Sequence, residues 1–500
     1  MRERWRIGRS SVAEGGINQG RRIERGAYRS DHRRVDVLRV VLPAVFYLTL
    51  LPACSNLGGP EYQQPDTPSK ADWSEDADAG VSATAVIQPD WWTGFADPYL
   101  NELISRAIAE NIDIRILAAR SGVAKAAIGQ AEAGLLPTIS GGAGTDTLKS
   151  SGNSARTQYS VASDVIWEAD IWGKVRKGVD AQKAEYKATE ADWRAGYLVM
   201  VSDVASAYFQ IRQFDEQMDQ QQKTIGRNRQ ILAIYEQMYG EGLVPKTQVL
   251  QQQAELNRLQ TGLLDLQRLR KLTENGLATL LGMPADSLRV PKAGLRSVQA
   301  ISVPAGLPSD LISRRPDIIA AEYRVLQAYN LEGQARLERL PSLRLTGRAG
   351  SASFDLVDLL KSWTFGLSSL ASIPIFDPNI TARIEVSEAQ TGVVEEGYRR
   401  TVLGAFEEVE NALTSLAIRK AQTGELSSRR ANLITVSEQV YAQLEEGMVS
   451  QLEVFEVERT LLDAEQEMLA NHWLVLTDTI ALFKALGGGW PSEVVARSAR

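Results

Sequence analysis

The second half of this chain repeats the first, and that duplication limits the folds open to it more than any other feature. Asp113 and Asp317 stand 204 residues apart, as do Pro137 and Pro341, within the matched stretches Asn111-Ile112-Asp113-Ile114 and Arg315-Pro316-Asp317-Ile318, then Leu136-Pro137-Thr138-Ile139 and Leu340-Pro341-Ser342-Leu343. Further on the offset becomes 205: Val204 and Ala207 match Val409 and Ala412, Gly242-Leu243-Val244 matches Gly447-Met448-Val449, and Leu281-Gly282 matches Leu486-Gly487. One inserted residue over that span leaves two copies of a single supersecondary unit.

Each copy reads as a short helix, two strands and a very long helical pair. The first strand pair is expected over roughly Thr138–Thr147 and Gln158–Trp172, where Tyr159, Val161, Val165 and Trp167 fall at even spacings on one face. Its counterpart covers about Ser342–Ala352 and Trp363–Phe376. Two hairpins cannot bury a sheet by themselves, whereas joining the hairpins of other copies into a closed barrel would satisfy every strand edge in lipid.

The helices carry a tighter period. Ala181, Ala184, Ala188, Ala191, Ala195, Leu198, Val201, Ala205 and Tyr208 advance in alternating steps of three and four, the 3.5-residue signature of helices wound closely together. Helical sequence runs to about Tyr239, breaks at Gly240–Pro245 and resumes through Leu281. In the second copy Ala389, Val393, Val402, Ala405, Val409 and Ala412 repeat the pattern. There the reading is one helix to about Lys420, a second to Glu446 and a return helix to Leu486.

Composition removes several classes. No run of twenty apolar residues could span a bilayer as a helix, so any crossing falls to strands. One Cys and two His, His32 and His472, supply no ligand set for a metal and no disulfide framework, and no metal or other cofactor is expected. Residues 1–39 hold eleven Arg against five acids, which leaves the rest of the chain at −13 within a total of −7, the wrong sign for a nucleic-acid binder. No Ser–His–Asp set, P-loop or dinucleotide fingerprint appears, so no enzyme is expected.

The N-terminal region reads as an address. Arg33, Arg34 and Arg39 precede an apolar stretch from Val40 to Leu51, followed by Leu51-Pro52-Ala53-Cys54. This resembles a bacterial lipobox, in which the cysteine carries a covalent lipid and becomes the new N-terminus. Pro52 is uncommon at its place in that motif, and the alternative for Cys54 is a buried thiol beside a short core helix. Ser55 follows where no Asp stands, which in lipoproteins implies sorting to the outer membrane.

These residues, with Asp90-Trp91-Trp92, Phe95-Ala96-Asp97-Pro98, Ala118-Ala119-Arg120, Arg314-Arg315-Pro316-Asp317-Ile318, Ala320-Ala321-Glu322, Pro374-Ile375-Phe376-Asp377 and Ala405-Phe406-Glu407-Glu408-Val409-Glu410-Asn411-Ala412-Leu413, resemble the TolC-like outer-membrane efflux family. The resemblance covers about Asp90 to Gly489 and is to the lipoprotein branch serving resistance–nodulation–division (RND) pumps. It implies an α+β membrane protein: a homotrimeric twelve-stranded transmembrane β-barrel, four strands per chain, continued by an antiparallel α-helical coiled-coil tunnel in the periplasm. The chain departs from the family pattern at Glu332–Pro341, which lacks an aromatic residue before the proline, and at Asp377-Pro378-Asn379-Ile380, which replaces a glycine-rich turn.

The domain reading is an N-terminal extension with signal peptide over 1–53, a lipidated tether over 54–89, a first repeat over 90–299, a second over 300–489 and a tail over 490–500. The strand hairpins fall at about 138–172 and 342–376, the helical hairpins at about 179–282 and 382–486.

The function so implied is a passive outer-membrane exit duct for drugs or other small molecules, partnered by a periplasmic membrane-fusion adaptor and an inner-membrane RND pump. An exit for protein secretion is the alternative within this architecture, and a periplasmic adaptor or scaffold lipoprotein the alternative outside it. Gly242, Leu243, Val244, Gly447, Met448, Val449 and Ser450 mark the hairpin tips and, by resemblance, the adaptor contacts; a tight turn with its own packing is the alternative. Glu453 and Glu456 lie three apart on one helical face where the first copy has Gln248 and Gln251. They match family carboxylates at a periplasmic constriction, where crowded like charges would attract cations; a solvated helix face is the alternative. Arg314-Arg315 reads as a helix-start feature, with an anion site as the alternative, Trp91-Trp92 as packing against the outside of the tunnel, with a place near the membrane as the alternative, and Glu407, Glu408 and Glu410 as a hydrated face.

Overall fold

The computed structural model describes residues 59, 61–67, 73–74, 88–149, 151–152, 154–303 and 308–490. Residues 1–57 separate as one unit and lie outside the described residues, so the signal peptide and Cys54 lie outside them too. The other unit, 58–500, holds every element named below.

Side-chain caps start the first two helices. Asp97 caps α1 (Pro98–Glu110) by accepting from the Tyr99 and Leu100 N–H groups at 3.0 and 3.2 Å, with Pro98 at the position where a missing N–H costs nothing. Asn111 ends α1 and caps α2 (Ile112–Ala133), accepting from Ile114 N–H at 3.0 Å. Strands β1 (Thr138–Leu148) and β2 (Arg156–Ala169) follow, then α3 (Lys174–Gly240) and α4 (Lys246–Leu280). The second repeat gives α5 (Pro308–Arg314), α6 (Pro316–Leu337), β3 (Ser342–Ser353), β4 (Thr364–Ser372), α7 (Pro378–Glu445) and α8 (Gln451–Ala485). At 1.5 Å per residue, the 67 residues of α3 and the 68 of α7 each span about 100 Å.

Several boundaries differ from the sequence reading, each for a local reason. β2 stops at Ala169, and α3 begins at Lys174 because the Asp170 carboxylate accepts the Val175 and Arg176 N–H groups at 3.0 Å each. β4 stops at Ser372, ahead of Pro374, which has no N–H for a ladder, and Asp377 with Pro378 starts α7 four residues earlier than expected. The expected break near Lys420 is absent, for α7 is one helix. There Asn471 of α8 donates to the Arg419 carbonyl at 3.1 Å and to Thr423 Oγ1 at 2.9 Å, so the polar stretch is held from the neighbouring helix.

The four strands make one antiparallel sheet in the order β1-β2-β3-β4. β2 pairs with β3 from Tyr159 opposite Ser353 to Ala169 opposite Leu343, which joins the two repeats. α3 packs on α2, α4, α6 and α8, while α7 packs on α6 and α8. The main core lies where both repeats meet, around Phe209, Ile104, Leu277, Ile318, Tyr398, Leu476 and Ile480, all nearly inaccessible. A smaller apolar cluster of Ile225, Leu232, Leu256, Leu259 and Leu462 sits nearer the hairpin tips. The described part of the tether lies on the helices, with Tyr62 donating to Glu322 at 3.0 Å and its ring edge-on to Tyr329.

Trp91 and Trp92 are core residues. Trp91 stacks on Phe483 with ring centroids 4.7 Å apart and meets Phe95 edge-on, so the second repeat's return helix is keyed to the first repeat's entry turn. Arg315 is buried, donating to Asp317, to Glu408 at 2.8 Å and to the Ala485 carbonyl at 2.9 Å. Glu407 and Glu408 are exposed, as a hydrated face requires, and Glu408 is in addition an ion-pair partner on α7; Glu410 is half-buried and accepts the Ser74 N–H at 3.2 Å.

Candidate functional site

The register of the sheet separates two faces. Tyr159, Val161, Val165 and Trp167 share one face with Leu343, Leu345 and Ala349 opposite them or two residues along, and with Phe365 and Leu367 beyond. Phe365 and Leu367 are 83% and 87% exposed, far beyond what apolar side chains of a water-facing sheet would show as a contiguous set. The other face carries Gln158, Ser160, Asp164, Glu168, Arg344, Thr346 and Arg348 alongside Ile166 and Leu370. Arg348 reaches across from β3 to Asp164 at 2.6 Å, and Lys174 pairs with Glu168. One face suited to lipid and one to water, on a sheet whose β1 and β4 each leave an edge unpaired among the described residues, is a segment of a membrane barrel wall.

The two hairpin tips have the same construction. Gly242 and Gly447 adopt left-handed φ angles of 75° and 71°, letting Leu243 N–H reach Met238 O and Met448 N–H reach Gln443 O, both at 2.8 Å. Leu243 and Met448 are consequently thrust into the open at 65% and 63% exposure, whereas Val244 and Val449 are half-buried. Gly242, Gly447 and Ser450 are exposed.

Glu453 and Glu456 both lie exposed in the first turns of α8. Ser450 Oγ donates to Glu453 at 3.4 Å, and Arg459 pairs with Glu456 at 2.5 Å. The carboxylate that sequence reasoning missed is Glu458, only 5% exposed. It accepts from Tyr441 of α7 and from Asn228 of α3 at 3.2 Å, and Arg227 stands 3.7 Å away. Gln252 of α4 donates to the Asn228 carbonyl and side chain at 2.9 and 3.0 Å, so four helices share one polar cluster. Burial first, and then the neighbouring Glu458 carboxylate, push the Tyr441 phenol up from its ordinary range. The signal was present in the pattern: Val454, Glu458 and Leu462 stand at steps of four, an acid within an apolar stripe.

A sheet segment with a lipid face, standing on paired helical hairpins about 100 Å long, defines a subunit of an outer-membrane channel wall. The model of the outer membrane efflux protein family matches residues 103–283 and again 307–488, one match in each repeat. The chain belongs to that family. It is 29% identical over 458 residues to the cation efflux system protein CusC of Escherichia coli O6:H1, covering 88% of this chain and 98% of that one. It is 30% identical over 465 residues to the solvent efflux pump outer membrane protein SrpC of Pseudomonas putida, covering 89% and 97%. The crystal structure of the open state of the Neisseria gonorrhoeae MtrE outer membrane channel superposes with a TM-score of 0.78 at 26% identity, over 86% of this chain and 98% of that one.

Proposed function

We propose that three copies of this chain pool their strands into one twelve-stranded barrel and act as the passive exit duct of a tripartite pump. A periplasmic adaptor would seat on the tips at Leu243 and Met448, and an inner-membrane RND pump would drive the cargo. The observation that carries the reading is a sheet of four strands with two free edges and one exposed apolar face, which no single chain can satisfy in lipid. Lipid on Cys54 would add an anchor in the same membrane. Cargo choice is assigned to the pump, since a cation efflux system protein and a solvent efflux pump outer membrane protein are both similar to this chain over nearly their whole length. The chain performs no chemistry on its cargo in this reading. Glu453 and Glu456, six carboxylates in a trimer, form a cation-attracting constriction.

The test is dye efflux from cells deleted for this chain. The intact chain should restore efflux, whereas Leu243→Asp combined with Met448→Asp should not, at equal amounts in the outer membrane. Unchanged efflux in the deleted cells would overturn the reading.

A further inference from the structure

At the end of the sheet remote from the helices, β3 and β4 are joined by residues 354–363, which include a short 3-10 turn at Leu356–Asp358. This connection is apolar where a loop surrounded by water would be polar. Val357 is 84% exposed, and Leu356, Leu360 and Trp363 are each more than half exposed.

Its direction is fixed by hydrogen bonds. Ser351 is directly opposite Val161 and two residues from Ala349, which faces Phe365, so its side chain belongs to the apolar face of the sheet. The Ser351 hydroxyl donates to the Leu359 carbonyl and is buried beneath it, which folds the connection back over that apolar face. Trp363 then borders a shallow depression with Ala143 and Val161 on the same face, its indole N–H turned to the Leu360 carbonyl at 3.1 Å. Phe354 is drawn the other way, with the Arg156 guanidinium over its ring at 5.9 Å.

We propose that this connection is a membrane-seated rim: Leu356, Val357, Leu360 and Trp363 lie in the outer part of the bilayer around the barrel mouth. The proposal rests on the barrel reading above. Trp363 precedes Phe365 by two residues and Leu367 by four, the spacing of one strand face, so exposed apolar side chains run from the connection onto the apolar face of β4. Of the connection's three charged residues, Asp358 and Lys361 pair with one another, which lowers their cost in a low-dielectric setting and leaves Asp355, beside the strand end, as the one carboxylate to be kept at the headgroup level. Trp363, with an apolar ring and a single N–H, is the residue type that collects at the edge of the hydrocarbon. The alternative occupant of the same apolar side chains is their own three-fold copies, meeting across the mouth and closing it.

The experiment places an environment-sensitive fluorophore on the full chain, extracted from membranes and reconstituted in phosphatidylcholine vesicles. Val357→Cys tests the rim and Leu367→Cys the strand face, with the unsubstituted chain as the labelling blank for Cys54. If the rim is seated in lipid, nitroxide-labelled phosphatidylcholine quenches the Val357→Cys probe by as large a fraction as the Leu367→Cys probe, and aqueous iodide quenches neither. If the Leu367→Cys probe is quenched by lipid but the Val357→Cys probe responds to iodide, the rim is overturned and the barrel stands. A pyrene excimer band at Val357→Cys would overturn it in favour of closure across the mouth. If lipid quenches neither probe, the barrel reading itself has failed.

Discussion

Asn228 on α3 donates to Glu458 on α8 at 3.2 Å, a contact between residues 230 apart in the chain that fastens the first helical hairpin to the second near their tips. Few apolar residues share that task there, since the nearby cluster counts only Ile225, Leu232, Leu256, Leu259 and Leu462 as its buried members. The spacing of the tips is thus set in good part by one buried carboxylate and its partners.

Replacing Glu458 by Ala leaves the Tyr441 hydroxyl without its acceptor and the Asn228 amide with only the Thr224 carbonyl, while half-exposed Arg227 loses an ion-pair partner. The expected cost is about 1–3 kcal/mol for the orphaned buried groups. Amide hydrogen exchange should quicken around Asn228 and Tyr441 while the main core near Phe209 stays protected, and uniform protection in both regions would contradict this.

Gly282 and Gly487 are equivalent turns at the ends of α4 and α8, both left-handed at φ 68° and 84°. A Cβ on Gly282 would lie 2.5 Å from the Glu110 carbonyl oxygen, and one on Gly487 would lie 3.2 Å from the backbone of Arg314 and Arg315. Gly282→Ala should therefore cost more than Gly487→Ala, which itself should cost about 1–3 kcal/mol from the backbone alone. Thermal melting of the two variants checks the order.

The Glu453 carboxylate has no cation within bridging distance among the described residues, whereas Arg459 offsets Glu456. Single-channel recordings should accordingly show Glu453→Gln losing more cation preference than Glu456→Gln, and the double variant losing most. Unchanged selectivity and closed-state conductance in the double variant would remove both residues from the constriction.

Glu274 gives a pH signature. Burial by itself would raise its carboxyl, but the Val290 N–H at 2.7 Å, then Lys271 and Arg270, outweigh that and hold it below the ordinary range. A depressed carboxyl stabilises the fold fully above its unfolded value of about 4.3, and the contribution is lost as pH falls through the folded value. The melting gap between the natural chain and Glu274→Gln should thus be widest near neutrality and close below about pH 4. A gap independent of pH would contradict the assignment.

The sequence made the architecture legible because duplication and a 3.5-residue period survive in linear order. Ala181, Ala184, Ala188 and Ala191 are all buried as their spacing implied. What stayed hidden depends on partners far away in the chain. The polar run after Lys420 reads as a break until Asn471 is seen to hold it, and the exposed Glu408 gives no sign in the sequence of the Arg315 that meets it from 93 residues away. Glu458 was half legible, as an acid at an apolar position, but its partners Asn228 and Tyr441 come from two other helices.

One chain cannot close this four-stranded sheet in lipid, and three together can. The most direct measurement is the mass and projection image of the detergent-extracted full chain. Three chains per particle are expected, with three-fold symmetry and a helical section about 100 Å long joined to a barrel of membrane thickness. A stable water-soluble monomer would contradict it.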